Sequence, residues 1–465
     1  MHHSRTVRWC YLSLASQKIP AFLTLFNRLR ISSQIFNQRS THLKMVKPRI
    51  VCTGLGVVSG VGNGIDEFWT NLINGKNNVD TVKSFDTSDM ICSVGCEVDR
   101  EAFDAASYWR DRKDAKRNDD FTSFAVAASK MALEDAGVDI SAMEPERFGV
   151  IIGSGIGGIH WMEKEMKTLQ TKGPRRVSPF LIPAMISNTA PGLVALEVNA
   201  KGPNHGVVSA CATSGHAIGE ALRYLQNGEA DAILCGGSEA SITPLSYAGF
   251  NALRAMAMGF NDNPKKASRP FDAHRKGFVM GEGAGILFLE TEEHALRRNA
   301  KKIYGEMAAY AATCDAFHIT APDPEGRGLS RCLNLLFDES GVPREDVAYL
   351  NAHGTSTHLN DKIETIAFKR VFGEELAKKL LISSSKSMTG HCLGATGGIE
   401  MCVIAKVLET GIAPPTINYE TPDPECDLNY CPNKAMKIDK EVKAVISDSL
   451  GFGGHNSALL LKRFE

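Results

Sequence analysis

From residue 49 onward, short apolar runs alternate with amphipathic stretches, and glycine marks most of the boundaries. Arg49-Ile-Val-Cys-Thr-Gly reads as a buried strand ending at a glycine turn. Residues 66–73 carry a helical period, and residues 121–136 predict a small-residue helix that Gly137 ends. Residues 110–120, just ahead of that helix, are densely charged. Further buried strands are predicted at 148–153, opening into Gly153-Ser-Gly-Ile-Gly-Gly, at 231–237 and at 285–289. The second half continues in the same style. Strands are expected at 303–312, 347–351, 380–384 and 444–447, with helices at 328–339, 362–372 and 398–410. This alternation predicts an α/β fold with largely parallel sheets. A charged stretch, 292–302, puts a division near Asn299 and gives two halves, 46–299 and 300–465.

Charge changes the picture at the N-terminus. Residues 1–49 hold nine Lys or Arg and no Asp or Glu, and the remainder is left with 43 basic against 53 acidic residues. A basic, acid-free, Ser/Thr-containing leader reads as an organelle transit peptide covering residues 1–45. The other reading is a start at Met45, which would leave the protein cytoplasmic. The apolar part of the leader is broken by Ser13, Ser16, Gln17, Lys18 and Pro20, and no later run reaches the roughly 20 apolar residues of a membrane span. The 12 cysteines include no CxxC pair, which argues against a disulfide framework or structural zinc and suits a reducing compartment.

Four constellations carry candidate chemistry. Ser209-Ala-Cys-Ala-Thr-Ser-Gly lies between an apolar strand and a small-residue helical stretch. Cys211 would then sit at a helix start, where the dipole favours a nucleophilic thiolate. Taken alone, it is better read as a buried structural cysteine. Asn351-Ala-His-Gly-Thr-Ser-Thr follows a strand, where open α/β folds place their sites. Lys386-Ser-Met-Thr-Gly-His-Cys-Leu-Gly-Ala-Thr-Gly-Gly-Ile-Glu follows another. Ser449-Leu-Gly-Phe-Gly-Gly-His-Asn is a glycine-rich loop whose backbone N–H groups can approach a ligand closely. Gly153-Ser-Gly-Ile-Gly-Gly also satisfies GxGxxG, but no acidic residue ends a second strand about twenty residues on, so a dinucleotide site is not expected.

Together these motifs resemble the β-ketoacyl-acyl carrier protein synthases of thiolase fold, type I/II elongating class, and type II most closely. The resemblance covers about residues 47–464 and includes Arg269-Pro-Phe-Asp, Gly277-Phe-Val-Met-Gly-Glu-Gly-Ala-Gly and Asp315-Ala-Phe-His-Ile-Thr-Ala-Pro-Asp-Pro-Glu-Gly. It implies a five-layered α-β-α-β-α architecture of two related halves and a homodimer. Cys211 would carry the acyl group as a thioester. His353 and His391 would stabilise the enolate formed when malonyl loses carbon dioxide. The N–H groups of Cys211 and Phe452 would hold the second oxyanion, and Phe452 would gate access. Lys386, partnered by Glu400, would orient the site and keep the histidines neutral. Asp361 and Glu364 would support it, and Thr355 and Thr357 would bind the phosphopantetheine arm.

The resemblance implies no bound cofactor and no metal, because phosphopantetheine arrives on acyl carrier protein. Lys113, Lys116, Arg117, Arg175, Arg176 and Arg254 would dock that acidic partner; the other reading of the Arg112–Arg117 run is a solvated face. No nucleic-acid partner is expected. The sequence departs from the family pattern at Lys276, usually Asp, at Asp448, usually Asn, and at Leu450, often Phe. These bear on chain-length preference and gating, not on the catalytic set. A thiolase would offer a second cysteine, a type III initiator would pair Cys and His with Asn, and a chain-length partner would lack Cys211. A carrier-binding scaffold with vestigial sites is the non-enzymatic alternative. A Cys-His protease would leave Lys386 and the second histidine unexplained. A plastid is favoured over a mitochondrion by the cyanobacterial character of residues 418–432 and of Gly453-Gly-His-Asn.

Overall fold

The first strand runs past the glycine expected to end it. The computed structural model describes residues 47–465, and β1 is Ile50–Ser59, buried throughout. Gly54 and Gly56 lie inside it because a helix, α1 (Asp120–Asp135), crosses there at backbone distance. A Cβ at Gly54 would sit 2.1 Å from the Ala132 carbonyl oxygen, and one at Gly56 would sit 1.8 Å from that of Ala128. The small residues of α1 and the glycines of β1 are therefore two sides of one contact.

Nine further strands join β1. They are β2 (Phe148–Gly153), β3 (Asn204–His205), β4 (Ala232–Glu239), β5 (Gly283–Thr291), β6 (Gly305–Cys314), β7 (Val347–Asn351), β8 (Leu381–Ser383), β9 (Ala444–Gly451) and β10 (His455–Lys462). With the short Gly62–Asn63 hairpin partner of β1, they form one 11-stranded sheet in the order β8-β7-β9-β10-β6-β1-β5-β4-β2-β3. Read outward from the centre, the two ends repeat each other. β1 is antiparallel to β5, β5 to β4, and β4 is parallel to β2 and β2 to β3. β6 is antiparallel to β10, β10 to β9, and β9 is parallel to β7 and β7 to β8. β1 and β6 join the halves through an antiparallel pair, Val51 opposite Glu306. Most pairings are thus antiparallel, not parallel as the alternation of strands and helices predicted. The reason is that each half ends in a hairpin-like return strand, β5 or β10, set between its parallel strands and the molecular centre.

Helices complete five layers. α1 and α2 (Thr189–Val198) cover the first half, and α4 (Arg327–Ser340) with α5 (His358–Phe372) lies on the far side of the second. Between the two halves run α3 (Thr213–Gln226) and α6 (Thr396–Thr410). Every residue of α6 from Thr396 to Leu408 is buried, as a helix packed on all sides requires. Among the described residues no helix is long and apolar enough to cross a membrane. The proposed leader, 1–45, lies outside the described residues.

Candidate active site

The two central helices begin in the same way. α3 follows a short 3-10 turn, Ala210–Ala212, with Ala210 at φ 51°, and α6 follows Leu393–Ala395, with Leu393 at φ 45°. By this internal repeat Cys211 corresponds to Gly394, just past His391. Both helix starts meet at the centre, so residues far apart in sequence converge on one cavity of about 530 Å³. Cys211, His353, His391, Thr355, Thr357, Phe452, Arg254 and Lys276 all line it.

The Cys211 sulfur lies 2.9 Å from His391 Nε2, and the rings of His353 and His391 meet edge to face at 5.3 Å. One ligating atom from each of these three residues falls within 4.8 Å of the others. His391 Nδ1 hydrogen-bonds the Thr396 hydroxyl at 3.0 Å, which fixes the ring, and Phe278 packs against it edge to face at 5.4 Å. Burial, with the Lys386 charge beside it, holds both histidines well below the usual imidazole range. They are neutral N–H donors at physiological pH. Lys386 is buried and paired with the buried Glu400 carboxylate. Burial pushes Glu400 up to about 8 against the pull of Lys386.

The cysteine differs from the expectation of a ready thiolate. Burial pushes the Cys211 thiol up to about 12, although the Lys386 charge and the N–H groups of Phe452 and Cys211 pull the other way. Desolvation therefore outweighs the helix start, and the resting group is a thiol hydrogen-bonded to His391. The same two N–H groups that face this sulfur form the pair implied for the oxyanion. Gly451 permits this convergence, since a Cβ there would lie 2.7 Å from the Ser209 carbonyl and 3.2 Å from Cys211 N. Phe452 is 36% exposed, ahead of Gly453 (φ 89°) and Gly454 (φ 75°), whose backbone only glycine adopts easily.

Asp361 and Glu364 hold the loop that presents His353. Glu364 accepts from Gly354 N at 2.7 Å and from Asn360, while Asp361 accepts from Phe271 N at 2.8 Å and lies 3.5 Å from Arg275. Thr355 and Thr357 hydrogen-bond each other at 2.9 Å on the cavity wall. Among the departures, Asp448 is buried next to the Glu364 carboxyl, and Leu450 lines the cavity. Lys113, Lys116, Arg117, Arg175 and Arg176 are exposed. Arg117 stacks over Phe180, four residues beyond the Pro174–Arg176 turn, while Arg254 lines the cavity.

Sequence reasoning missed Glu239. This fully buried carboxylate accepts from Gly155 N (2.8 Å), Ile156 N (3.2 Å), Ser154 (3.1 Å), Ser241 (3.0 Å) and Gly394 N (3.0 Å). It takes up the N–H groups of the GxGxxG loop and ties that loop to the turn after His391. The signal was present: an acid ending the buried strand Ala232–Glu239 needs donors.

Comparison with known proteins agrees with this geometry. Residues 47–295 match the N-terminal domain of beta-ketoacyl synthases and residues 304–420 the C-terminal domain. The chain is 50% identical over 419 residues to a 3-oxoacyl-[acyl-carrier-protein] synthase 2 of Synechocystis, covering 90% of this chain and 99% of that one. It is 48% identical over 417 residues to one of Staphylococcus aureus, with the same coverage. Solved structures with this fold include a type II polyketide ketosynthase in complex with its acyl carrier protein, bound to the hexaketide. That likeness has a TM-score of 0.82 at 34% identity over 90% of this chain and 100% of that one. A beta-ketoacyl synthase from Burkholderia phymatum has a TM-score of 0.81 at 31% identity, with the same coverage. With both domains matched and the Cys-His-His cluster in place, the chain belongs to the beta-ketoacyl synthase family.

Proposed function

We propose that this protein condenses an acyl group held on Cys211 with malonyl-acyl carrier protein, releasing carbon dioxide and β-ketoacyl-acyl carrier protein in the elongation step of fatty acid synthesis. The observation that carries this is one thiol flanked by two buried, neutral imidazoles. In the first step Cys211 sulfur bonds to the acyl carbonyl carbon, and the carrier thiol leaves with the proton. In the second the malonyl carbon–carbon bond breaks and its electron pair becomes an enolate. His353 and His391 donate to the enolate oxygen. The enolate carbon then attacks the Cys211 thioester, and the N–H groups of Cys211 and Phe452 receive the oxyanion. Collapse expels the sulfur as a thiolate, which takes a proton from water to restore the thiol, and yields a chain two carbons longer. Preorganised donors of this kind contribute about 10²–10³ each in rate.

Acyl carrier protein as partner is supported by the neighbour solved with its own carrier protein and by the exposed cations Lys113, Lys116, Arg117, Arg175 and Arg176. The phosphopantetheine arm fits a cavity walled by Thr355 and Thr357, with Phe452 as its gate. A homodimer is supported by β3, which pairs with β2 on one side and has no strand on the other among the described residues, with Leu196 and Val208 exposed nearby. A plastid location is supported by the basic, acid-free leader and by similarity to a cyanobacterial enzyme; a mitochondrion is the alternative.

Mass spectrometry tests the function. The protein is mixed with acyl-carrier protein and then with malonyl-carrier protein. A thioester at Cys211 followed by a product two carbons longer is the expected result. No acylation of folded protein would overturn the enzymatic reading in favour of a scaffold.

A further inference from the structure

Two cations at the cavity mouth have no anionic partner. Arg254 and Lys276 are both exposed, both line the cavity that ends at Cys211, and neither takes part in a salt bridge among the described residues. Lys276 Nζ lies over the Phe260 ring, at 6.0 Å from its centroid. The one carboxylate lining the same cavity, Asp315, is already engaged. It accepts from Asn456 Nδ2 at 2.7 Å and from Asp323 N at 3.0 Å.

The backbone under these cations is fixed. Met256 and Phe278 form a parallel bridge, with Phe278 N bonded to Ala255 O at 3.0 Å and Ala257 N to Phe278 O at 2.9 Å. Arg254 and Lys276 each lie two residues before a bridge partner, on neighbouring segments. Arg275 is pinned through Thr357 O (3.1 Å), His358 O (3.0 Å) and Asp423 (2.6 Å). Gly277 N is held by Ser356 O at 3.0 Å. Lys276 therefore stands between two anchored residues, with its ammonium over Phe260 and no salt-bridge partner among the described residues. One continuous strip runs from Phe278, packed on His391 at the floor, to Lys276 at the rim.

We propose that Arg254 and Lys276 form an anion subsite that receives the phosphodiester at the outer end of the phosphopantetheine arm. The proposal rests on the condensing function above. An arm delivering its thioester to Cys211 places neutral amides along the wall that carries Thr355 and Thr357. Its only charge is then at the mouth. A guanidinium fork and an ammonium carried on two bridged segments of one cavity lining suit the two free oxygens of a phosphodiester. Arg254 then acts on the arm rather than on the carrier's surface.

The test compares two small thioesters, octanoyl-phosphopantetheine and octanoyl-pantetheine, as acyl donors to Cys211 in the full chain. In each case the Cys211 sulfur replaces the arm sulfur on the acyl carbon, and the arm leaves as a thiol. Acylation is followed by intact-protein mass spectrometry. The parent is expected to prefer the phosphorylated donor by about three- to tenfold at low salt, a preference that salt erodes. Lys276→Ala should collapse that ratio, Lys276→Arg should keep it, and Lys276→Asp should invert it. Equal loss with both donors would overturn the subsite in favour of a structural role. So would an intact ratio combined with a loss seen only on acyl carrier protein, which would place Lys276 against the carrier's acidic side chains. If the folded parent accepts neither donor nor acyl carrier protein, the condensing function itself fails and the subsite falls with it.

Discussion

Replacing Gly451 by alanine tests how the oxyanion donors are built. The φ of Gly451 is not in the left-handed region, so alanine tests space rather than backbone conformation. The new Cβ would meet Ser209 O at 2.7 Å, Ala212 N at 3.1 Å and Cys211 N at 3.2 Å. Ordinary carbon contacts lie at about 3.5–4.0 Å, so the turn must retreat from Cys211 by roughly half an ångström to one ångström. All three atoms are backbone, and no flexible side chain can absorb the shift. A retreat of that size takes the Phe452 N–H out of range of an oxyanion held by Cys211 N. Loss of one such donor costs about 10²–10³ in kcat, or roughly 3–4 kcal/mol. The assay is single-turnover condensation on octanoyl-loaded enzyme, followed by product mass, with carbon dioxide release from malonyl-carrier protein measured in parallel. Condensation should fall about 100- to 1,000-fold. Decarboxylation, which depends on His353 and His391, should fall far less. Condensation within tenfold of the parent would refute the reasoning, and so would an equal loss of both steps with thermal stability unchanged.

Other outcomes follow from the same geometry. His391→Ala should still form the Cys211 thioester but lose malonyl decarboxylation by about 10²–10³, measured as carbon dioxide release; retained decarboxylation would remove His391 from that step. Because both imidazoles are held well below their usual range, the acid limb of the decarboxylation rate should lie well below pH 6.5, and an inflection at 6.5 would show that they titrate freely. Asp448→Asn tests a buried carboxyl whose pKa burial raises above the unfolded value. The parent therefore loses stability as pH rises above about 4, where only the unfolded state ionises, whereas Asn does not titrate. The variant should gain on the parent as pH rises from about 4 to 6 in urea unfolding, and a pH-independent difference would count against this. Glu239→Gln must set its amide either against Gly155 N and Gly394 N or against Ile156 N. Two donors are left without an acceptor in the first setting and one in the second, at a cost of at least roughly 1–3 kcal/mol in denaturant unfolding. A neutral result would show that the cradle does not need the carboxylate.

Much of the site was legible because each motif sits where a strand ends. His353 follows β7, His391 follows β8, and Phe452 lies between β9 and β10. The helices that place these residues were also readable, within about two to four residues at their ends. Three features were not. β10 lacks a period, because Ala-Leu-Leu-Leu lies between two antiparallel neighbours and is buried on both faces. Gly54 looked like a turn, because a local reading of sequence cannot see a helix arriving from residues 128–136. The protonation of Cys211 depends on how much water the fold removes, which a helix-start argument does not contain. Glu239 was readable as a buried acid in need of donors, but the donors, from residues 154–156, 241 and 394, are assembled only by the tertiary structure.

The position of β1 at the centre of the sheet has a consequence for how the chain is made. Ile50 pairs with Thr291 and Val51 with Glu306, so the opening strand has no long partner until about 240 further residues exist. At synthesis rates of about 5–20 residues per second, that is a wait of roughly 12–50 s. During it a strand that will be buried along its whole length is unpaired and apolar. The glycines that later admit α1, Gly54 and Gly56, interrupt the run and lower its tendency to pair with another nascent chain. Residues selected for close packing in the finished molecule would thus also protect the unfinished one.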